Sequence, residues 1–279
     1  IKCAISPEVP NNEGSFRPVK VTAPPGCILN AQRPVAVAGR HLIGHFLPGA
    51  IFGALGRALP GRVMAEGSAG VWNNQVTGYD PRRREAFTYV WFSAGGTGAR
   101  PDKDGLSATA FPSGIGGVPV EVIESLSPIL MRKRELRPDS GGPGTFRGGL
   151  GQTMVVGMRT DRAFRWSTMC DRIKFPAQGL AGGKPGAPGA VVLRDGTPLH
   201  PKSQHTLPAD ALVTLQLPGG GGIGDPLARD PALVARDVRD GYISRERAEA
   251  DYGVVWRVGS FEVVARRTAA RRGARSAEA

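Results

Sequence analysis

Charged and polar residues stand on glycine-rich turns near the middle of the chain. Arg137, Asp139, Ser140 and Arg147 occur within Leu-Arg-Pro-Asp-Ser-Gly-Gly-Pro-Gly-Thr-Phe-Arg-Gly-Gly-Leu-Gly. A guanidinium binds a carboxylate or a phosphate through paired hydrogen bonds, so these turns are candidates for a substrate-binding site. An internal Asp–Arg pair that holds the two turns together would use the same residues, and the sequence leaves both interpretations open.

Two histidines, His41 and His45, lie four residues apart in a predicted helix. This spacing places both imidazoles on one face of a helix, where they could bind one metal ion. No carboxylate in the same short segment completes such a site, so a structural histidine pair is the favoured interpretation. Cys27 has no histidine nearby in the sequence and is interpreted as a structural thiol rather than a nucleophile.

Several glycine clusters could cradle a phosphate with consecutive backbone N–H groups. None of them matches a nucleotide-binding fingerprint. Gly182-Gly183-Lys184, for example, is followed by Pro185 and not by the Ser or Thr that would bind magnesium. Tight turns or close backbone packing are therefore the favoured interpretation of each cluster taken alone. We expect the nucleotide site to lie outside this chain.

The elements that must position these residues follow from composition and periodicity. The 279 residues include 40 Gly and 24 Pro, which argue against a helical bundle, while 41% of residues are hydrophobic and can form a core. We predict an α+β fold, β-rich with many glycine turns, with short helices near residues 35–59 and 231–251. Pro48-Gly49 is expected to divide the first helical region into two helices. The predicted strands are Ala86–Phe92, Val118–Ile123, Gln152–Met158, Arg165–Met169, Ala190–Leu193, Ala211–Leu217 and Val254–Val258.

The C-terminal helices are predicted from their capping residues. Asp230-Pro231 is a favourable start for a helix, and Gly241 is a favourable stop. Ser244 can cap a second short helix that ends near Asp251. Residues 259–279 are assigned to a terminal strand and a basic, disordered tail.

The net charge is +12, which raises the question of an acidic partner. Five Arg and one Glu lie in residues 266–279, so 4 of these charges belong to the predicted tail. The remaining +8 is modest and no nucleic-acid-binding module accompanies it, so nucleic acid is not an expected partner. Three cysteines without CxxC spacing favour a cytoplasmic location, and no apolar stretch is long enough for a membrane span.

An ordered set of short motifs runs through residues 1–258. The strongest is Leu136–Gly142 followed by Phe146–Gly151. The others are Pro10–Pro18, Pro25–Asn30, Arg40-His41, Pro119–Glu121 with Glu124, Phe175–Gly183, Pro218–Pro226, Asp237–Gly241 and Tyr252–Val254. Each motif is weak alone, but the ordered set resembles the hydantoinase B/5-oxoprolinase family. That family also includes the large subunits of acetone and acetophenone carboxylases.

The resemblance implies that residues 1–258 are the C-terminal half of a B-type subunit whose N-terminal half is missing here. It implies ATP and Mg²⁺ in a hydantoinase A-type partner subunit, and a divalent metal in the missing N-terminal half. The expected reaction is ATP-dependent opening of a cyclic amide, such as hydantoin or 5-oxoproline, through a phosphorylated amide. A fragment of an ATP-dependent ketone carboxylase is one alternative, and a non-catalytic structural or assembly half is another.

The resemblance also suggests which residues would meet the small-molecule substrate. Arg100, Arg137 and Arg147 are candidate clamps for its amide and carboxylate-like groups, with Asp139 and Ser140 beside them. Glycine loops are expected to line the substrate cavity. These glycines are Gly95, Gly96, Gly98, Gly141, Gly142, Gly148, Gly149, Gly220 and Gly221.

Overall fold

In the computed structural model, which describes residues 2–277, two four-stranded antiparallel sheets pack face to face. The strands are β1 (Val71–Asp80), β2 (Glu85–Ala94), β3 (Ile129–Leu136), β4 (Gln152–Met158), β5 (Phe164–Met169), β6 (Ala190–Leu193), β7 (Gln204–Leu207) and β8 (Val213–Gln216). The first sheet has the order β2–β1–β5–β7 and the second has the order β3–β4–β8–β6. With its seven helices, the described chain has the α+β fold that the sequence predicts.

The helices lie before, between and after the strands. They are α1 (Lys2–Ile5), α2 (Glu13–Phe16), α3 (Arg40–Leu55), α4 (Val120–Leu126), α5 (Pro231–Arg239), α6 (Arg245–Tyr252) and α7 (Ala265–Ala277), with a 3₁₀ turn at Pro226–Ala228. No helix in residues 2–277 has the length and apolar character needed to cross a bilayer.

The main core lies between the two sheets and is centred on three tryptophans. Trp72, Trp91 and Trp166 are all almost fully buried, and the rings of Trp91 and Trp166 meet edge to face at 5.4 Å. Strand β5 shows why such residues form a strand. Phe164, Trp166 and Thr168 are buried, whereas the alternate residues are more exposed, which is the period of two that one buried sheet face requires.

Strand prediction succeeds where apolar residues dominate and fails where polar residues form strands. The bounds of β4 and β6 are as predicted, and β2, β5 and β8 are shifted by only a few residues. Strand β1 is missed because Asn73, Asn74 and Gln75 have low strand propensity, yet it pairs with β2 over ten residues. Strand β3 is missed because it carries a charged run, which suits its position at a sheet edge.

Two other predicted elements are wrong. Val118–Ile123 is not a strand but contains the start of α4, where Pro119 stands at the N-cap and favours helix initiation. Pro48 does not divide the first helical region, because α3 runs unbroken through it. Contacts lie on both sides of the proline: the ring of His41 meets Phe92, and Gly56, at the C-cap of α3, lies close to the side chain of Leu180.

The capping signals at the C-terminal helices are confirmed. The side chain of Asp230 accepts a hydrogen bond from the amide of Ala232 at 2.8 Å, and that of Ser244 accepts one from Arg247 at 3.2 Å. Gly241 has φ +74°, the left-handed conformation that ends α5 and that glycine adopts without strain.

The terminal strand and the disordered tail are corrected by the structure. Val254–Val258 forms no strand; one isolated bridge joins Trp256 to Val263. From Ala265 the chain is helix α7, up to the last described residue. Alanine and arginine favour helix, and the buried Thr268 accepts a hydrogen bond from the amide of Val255 at 3.0 Å, so this helix is packed on the body. The tail prediction for residues 278–279 lies outside the described residues.

Candidate functional site

Glycine-rich segments meet beside the sandwich and form a layer of backbone. Its segments are residues 95–98, 141–144, 148–151 and 218–224, which we call the glycine layer. Gly149 donates its amide to the carbonyl of Thr97 at 2.8 Å, and Gly220 donates to that of Gly149 at 2.9 Å. Gly142 in turn donates to Gly220 at 2.8 Å. The segments are thus hydrogen bonded to several neighbouring segments and do not form the regular ladder of a β-sheet.

The glycines of this layer contact one another too closely for any side chain. At Gly96 a Cβ would overlap the carbonyl oxygen of Gly149, and at Gly148 it would overlap that of Gly220. The same overlap with a backbone oxygen holds for all nine glycines expected to line a cavity. The structure therefore packs all nine glycines closely against backbone, and their place at a substrate cavity stays a prediction.

Arg147 lies in a largely buried network of charges. Its Nε donates to Asp237 at 3.3 Å, and the same carboxylate accepts from Arg229 at 2.7 Å. Arg229 is 0% exposed and also makes two bonds of 2.7 and 2.8 Å to Asp104. Burial by itself raises the pKa of Asp104, but hydrogen bonds and charge from Arg229 and Arg147 bring that pKa below its ordinary value. The internal Asp–Arg pairing that the sequence left open is realised with different carboxylates.

Asp104, Arg229 and Asp237 were not predicted from the sequence. Asp237 stands in one of the family-like motifs, so a signal existed for it, but nothing in its spacing indicated pairing with residues far away in the chain. The network joins a loop before the second sheet, the glycine layer and helix α5. Its function is to hold these parts together.

The other predicted residues on the turns also have internal partners. Arg137 donates to the carbonyl of Pro188 at 2.7 Å, and burial lowers the pKa of its guanidinium. The hydroxyl of Ser140 donates to the carbonyl of Arg137 at 2.6 Å and accepts from the amide of Gly151 at 2.9 Å. Asp139 accepts from the amide of Ser244 at 2.7 Å. These three side chains therefore connect the glycine-rich turns to neighbouring backbone through hydrogen bonds.

Arg100 is the predicted clamp that borders open space. An open cleft of about 610 Å³ lies between the N-terminus, helix α3 and the loop after Arg100. The cleft is lined by Cys3, Ala4, Pro48, Phe52, Arg62, Met64, Arg100, Pro101, Asp102, Lys103 and Phe111. Three cations and one carboxylate give it a positive balance, and aromatic rings provide an apolar wall. The Arg100 guanidinium is held by the carbonyl of Asp104 at 2.8 and 3.0 Å, which connects the cleft to the buried network.

His41 and His45 lie together on α3, one and two turns before the cleft. His41 meets the ring of Phe92 edge-on at 6.0 Å. Burial lowers the pKa of His45, and the neighbouring His41 lowers it further. Nε2 of His41 and Nδ1 of His45 are buried and have no hydrogen-bond partner. Residues 2–277 hold no group of three or more His, Cys, Asp or Glu that could bind a metal.

The cysteines are free thiols in three different environments. Cys3 is exposed at the cleft, Cys27 is half-buried, and Cys170 is buried. Burial raises the pKa of the Cys170 thiol and the neighbouring Asp171 raises it further, which makes this cysteine unreactive.

Comparison with known proteins gives a consistent family assignment. The model of the hydantoinase B/oxoprolinase family matches residues 1–226. The caprolactamase subunit beta of Pseudomonas jessenii is 35% identical over 275 residues, covering 88% of this chain and 45% of that protein. The crystal structure of the ATP-dependent caprolactamase from the same organism matches with a TM-score of 0.76 at 30% identity, over 95% of this chain and 48% of that one.

A further solved structure shares the fold. The nucleotide-free structure of acetone carboxylase, from a study of ATP-dependent acetone carboxylation, matches 80% of this chain and 35% of its own chain, with a TM-score of 0.64 and 24% identity. This chain spans less than half the length of the curated relatives that it matches.

Proposed function

The chain belongs to the hydantoinase B/oxoprolinase family, and from this membership we propose that it is part of an ATP-dependent cyclic-amide hydrolase acting with a hydantoinase A-type ATP-binding subunit. The observation that carries the proposal is the likeness to the ATP-dependent caprolactamase over 95% of this chain. A lactam is a cyclic amide, as are hydantoin and 5-oxoproline. We propose that substrate class for this chain.

We assign ATP and Mg²⁺ to the partner subunit, because amides of the glycine layer that could cradle a phosphate are already hydrogen bonded within this chain. A phosphate-binding loop needs free backbone N–H groups. In the glycine layer, the amides of Gly96, Gly149 and Gly220 donate to carbonyls of this chain. The divalent metal likewise remains a prediction for the other half of the subunit, because His41 and His45 alone do not complete a site.

The cleft beside Arg100 is the site in this chain that suits such a substrate. Arg62, Arg100 and Lys103 provide positive charge for the carbonyl oxygen or carboxylate of a cyclic amide. Phe52 and Phe111 provide an apolar wall for the ring carbons. Excluding water at this wall strengthens the electrostatic contacts, so the residues would bind and orient the ring while the activating chemistry comes from outside the chain.

The two alternatives have less support. The likeness to acetone carboxylase is at 24% identity and concerns the fold, so it does not favour ketone carboxylation over amide hydrolysis. A non-catalytic assembly half is consistent with the many side chains that have internal partners, but it leaves the basic cleft unexplained.

Co-expression provides the test. This chain would be produced with a hydantoinase A-type subunit and the remaining half of the B subunit from the neighbouring reading frames, and ATP hydrolysis measured with hydantoin, 5-oxoproline, caprolactam, or acetone plus bicarbonate. We expect turnover that depends on a cyclic amide. Arg100→Ala should raise KM about tenfold by removing a charged contact, whereas Arg165→Ala, an exposed arginine on β5, should leave KM unchanged. Turnover with the ketone alone, or none with any substrate, would reject the proposal.

A further inference from the structure

The first part of the chain is folded with almost no buried side chains. Between residues 2 and 62 only Leu42 is buried. Ten of the large hydrophobic residues in this segment are exposed, and we call them the N-terminal apolar surface. They are Ile5, Val9, Phe16, Val19, Val21, Ile28, Leu29, Val35, Val37 and Leu47.

Such a segment cannot hold its shape through its own packing. Fixing the backbone costs about 1–2 kcal/mol per residue, and burial of one leucine returns about 1.5–3 kcal/mol. Exposed apolar residues in this number are typical of an interface. The remaining stability of the segment must come from something that covers it.

Two observations indicate what that cover is. The likeness to the caprolactamase covers 95% of this chain, so about 14 of the 279 residues fall outside it and most of the segment keeps its course there. This chain accounts for only 48% of that longer chain. The family model likewise matches from residue 1. The segment therefore corresponds to part of a larger fold, and more than half of the caprolactamase chain has no counterpart in this chain.

We propose that the N-terminal apolar surface is the docking face for the remaining half of the family's B subunit. The inference rests on the family membership used for the proposed function. Seven Lys and Arg residues against two Glu give residues 2–62 a net charge of +5, so the complementary face should carry apolar residues with a net negative charge around them.

A groove within the segment is the place where the docked half is anchored. It has a volume of about 500 Å³ and is lined by Gly26, Cys27, Ile28, Ala31, Gln32, Val35, Ala36, Val37, Gly39, Arg40 and Ile43. Its mostly aliphatic lining suits one large apolar side chain from the other half, which is the usual form of an interface hot spot.

The test uses this full chain and, as probe, the part of the Pseudomonas jessenii caprolactamase subunit beta that it does not match, produced from the same expression vector. Light scattering after gel filtration should show a 1:1 complex. Hydrogen exchange of residues 2–62 should slow in the complex, with little change in the sandwich. Ile28→Asp with Val35→Asp should weaken binding at least tenfold, because both introduce a charge into the apolar groove. Val258→Asp, at a residue that is 95% exposed outside the surface, should not weaken it.

The outcomes separate this inference from the proposed function, because binding is measured without ATP or substrate. A complex that forms without any amide hydrolysis would support the docking face and reject only the activity. Absence of a complex, equal binding by the groove variants, or protection confined to other residues would reject the docking face. Pairing of two copies of this chain through residues 2–62, without the probe, would also reject it.

Discussion

Arg147 and Arg100 show how surroundings decide what a guanidinium does. Arg147 is 4% exposed, bonds Asp237, and has Tyr242 within 5.5 Å of its guanidinium carbon, so it is committed to the interior. Arg100 is fixed by a carbonyl on one side but borders a cleft with two other cations. The sequence analysis proposed both residues as substrate clamps, and of the two Arg100 borders the cleft.

From the close packing of the glycine layer we expect one added methyl group to lower the free energy of unfolding strongly. Gly149→Ala would place Cβ against the carbonyl of Leu106, and we expect the free energy of unfolding to fall by at least about 2 kcal/mol in denaturant titrations. Gly116→Ala is the control, because a Cβ there has nothing within 4 Å and should change stability by about 0.5 kcal/mol or less. Equal stability of the two variants would contradict the close packing of the layer.

His45 predicts a pH dependence near neutrality. Its pKa is lowered from 6.5 by burial and by His41, so below pH 6.5 the unfolded chain binds more protons than the native one. The contribution of His45 to stability is therefore complete above pH 6.5 and is lost as pH falls through the lowered native pKa. NMR titration of the imidazole should show this lowered pKa.

Two histidine variants test the cause of the lowered pKa of His45. His41→Gln should raise the pKa of His45 towards its ordinary value, because one of its two causes is removed. His200→Gln should leave the His45 titration unchanged, because His200 is not among those causes. A His45 titration midpoint at or above 6.5 in the unaltered chain would reject the burial of this imidazole.

At the scale of elements, helix α7 has a structural role that the sequence analysis did not predict. Its arginines read as a solvated basic tail, yet Arg272 donates to the carbonyls of Tyr252 and Arg229 at 2.8 Å each. Burial lowers the pKa of that guanidinium. The helix therefore covers the end of α6 and the residue that centres the buried ion network.

Substitution of two neighbouring arginines distinguishes a packed helix α7 from a disordered tail. Arg272→Ala removes two charge-assisted hydrogen bonds to carbonyls, and we expect it to lower the free energy of unfolding by about 2 kcal/mol. Arg271→Ala, an exposed residue of the same helix, should change it by less than about 0.5 kcal/mol. Differential scanning calorimetry measures both. If neither variant shifts the unfolding temperature, α7 is not packed as described.

At the scale of the whole molecule, the chain has a firmly packed part and an open one. One core fills the β-sandwich and a second lies among α5, α6 and the segment between α6 and α7. The buried ions Arg147, Arg229 and Asp237, together with the half-buried Asp104, connect the glycine layer to the second core. Residues 2–62 lie outside both cores.

This division predicts a hierarchy of local stability in the chain on its own. Amides of β1, β4 and β5 should exchange slowly, because they are paired within sheets over buried tryptophans. Amides of residues 2–62 should exchange orders of magnitude faster, because only Leu42 is buried there. Hydrogen-exchange mass spectrometry measures this directly. Equal protection of both parts would contradict the openness of the N-terminal segment.

Local signals predicted the elements that depend on local physics. Apolar alternation predicted β5, apolar runs predicted β4 and β6, and the caps Asp230 and Ser244 predicted α5 and α6. Strand β1 escaped prediction because Asn73, Asn74 and Gln75 have low strand propensity. It forms because it pairs with β2 over ten residues. The membership in the hydantoinase B/oxoprolinase family was also predictable, because it depends on ordered motifs that are read along the chain.

The sequence by itself thus determined the fold class, the family and the residues with the capacity to bind an anion. It did not determine which of them meet solvent. Only the tertiary structure distinguished Arg137 and Arg147 from Arg100. Their hydrogen-bond partners, such as Pro188 and Asp237, lie up to 90 residues away in the sequence. The glycines were likewise placed in backbone packing by contacts between distant segments. Burial and charge pairing are properties of the folded arrangement, so only the arrangement could place Arg147 in the interior and Arg100 at the cleft.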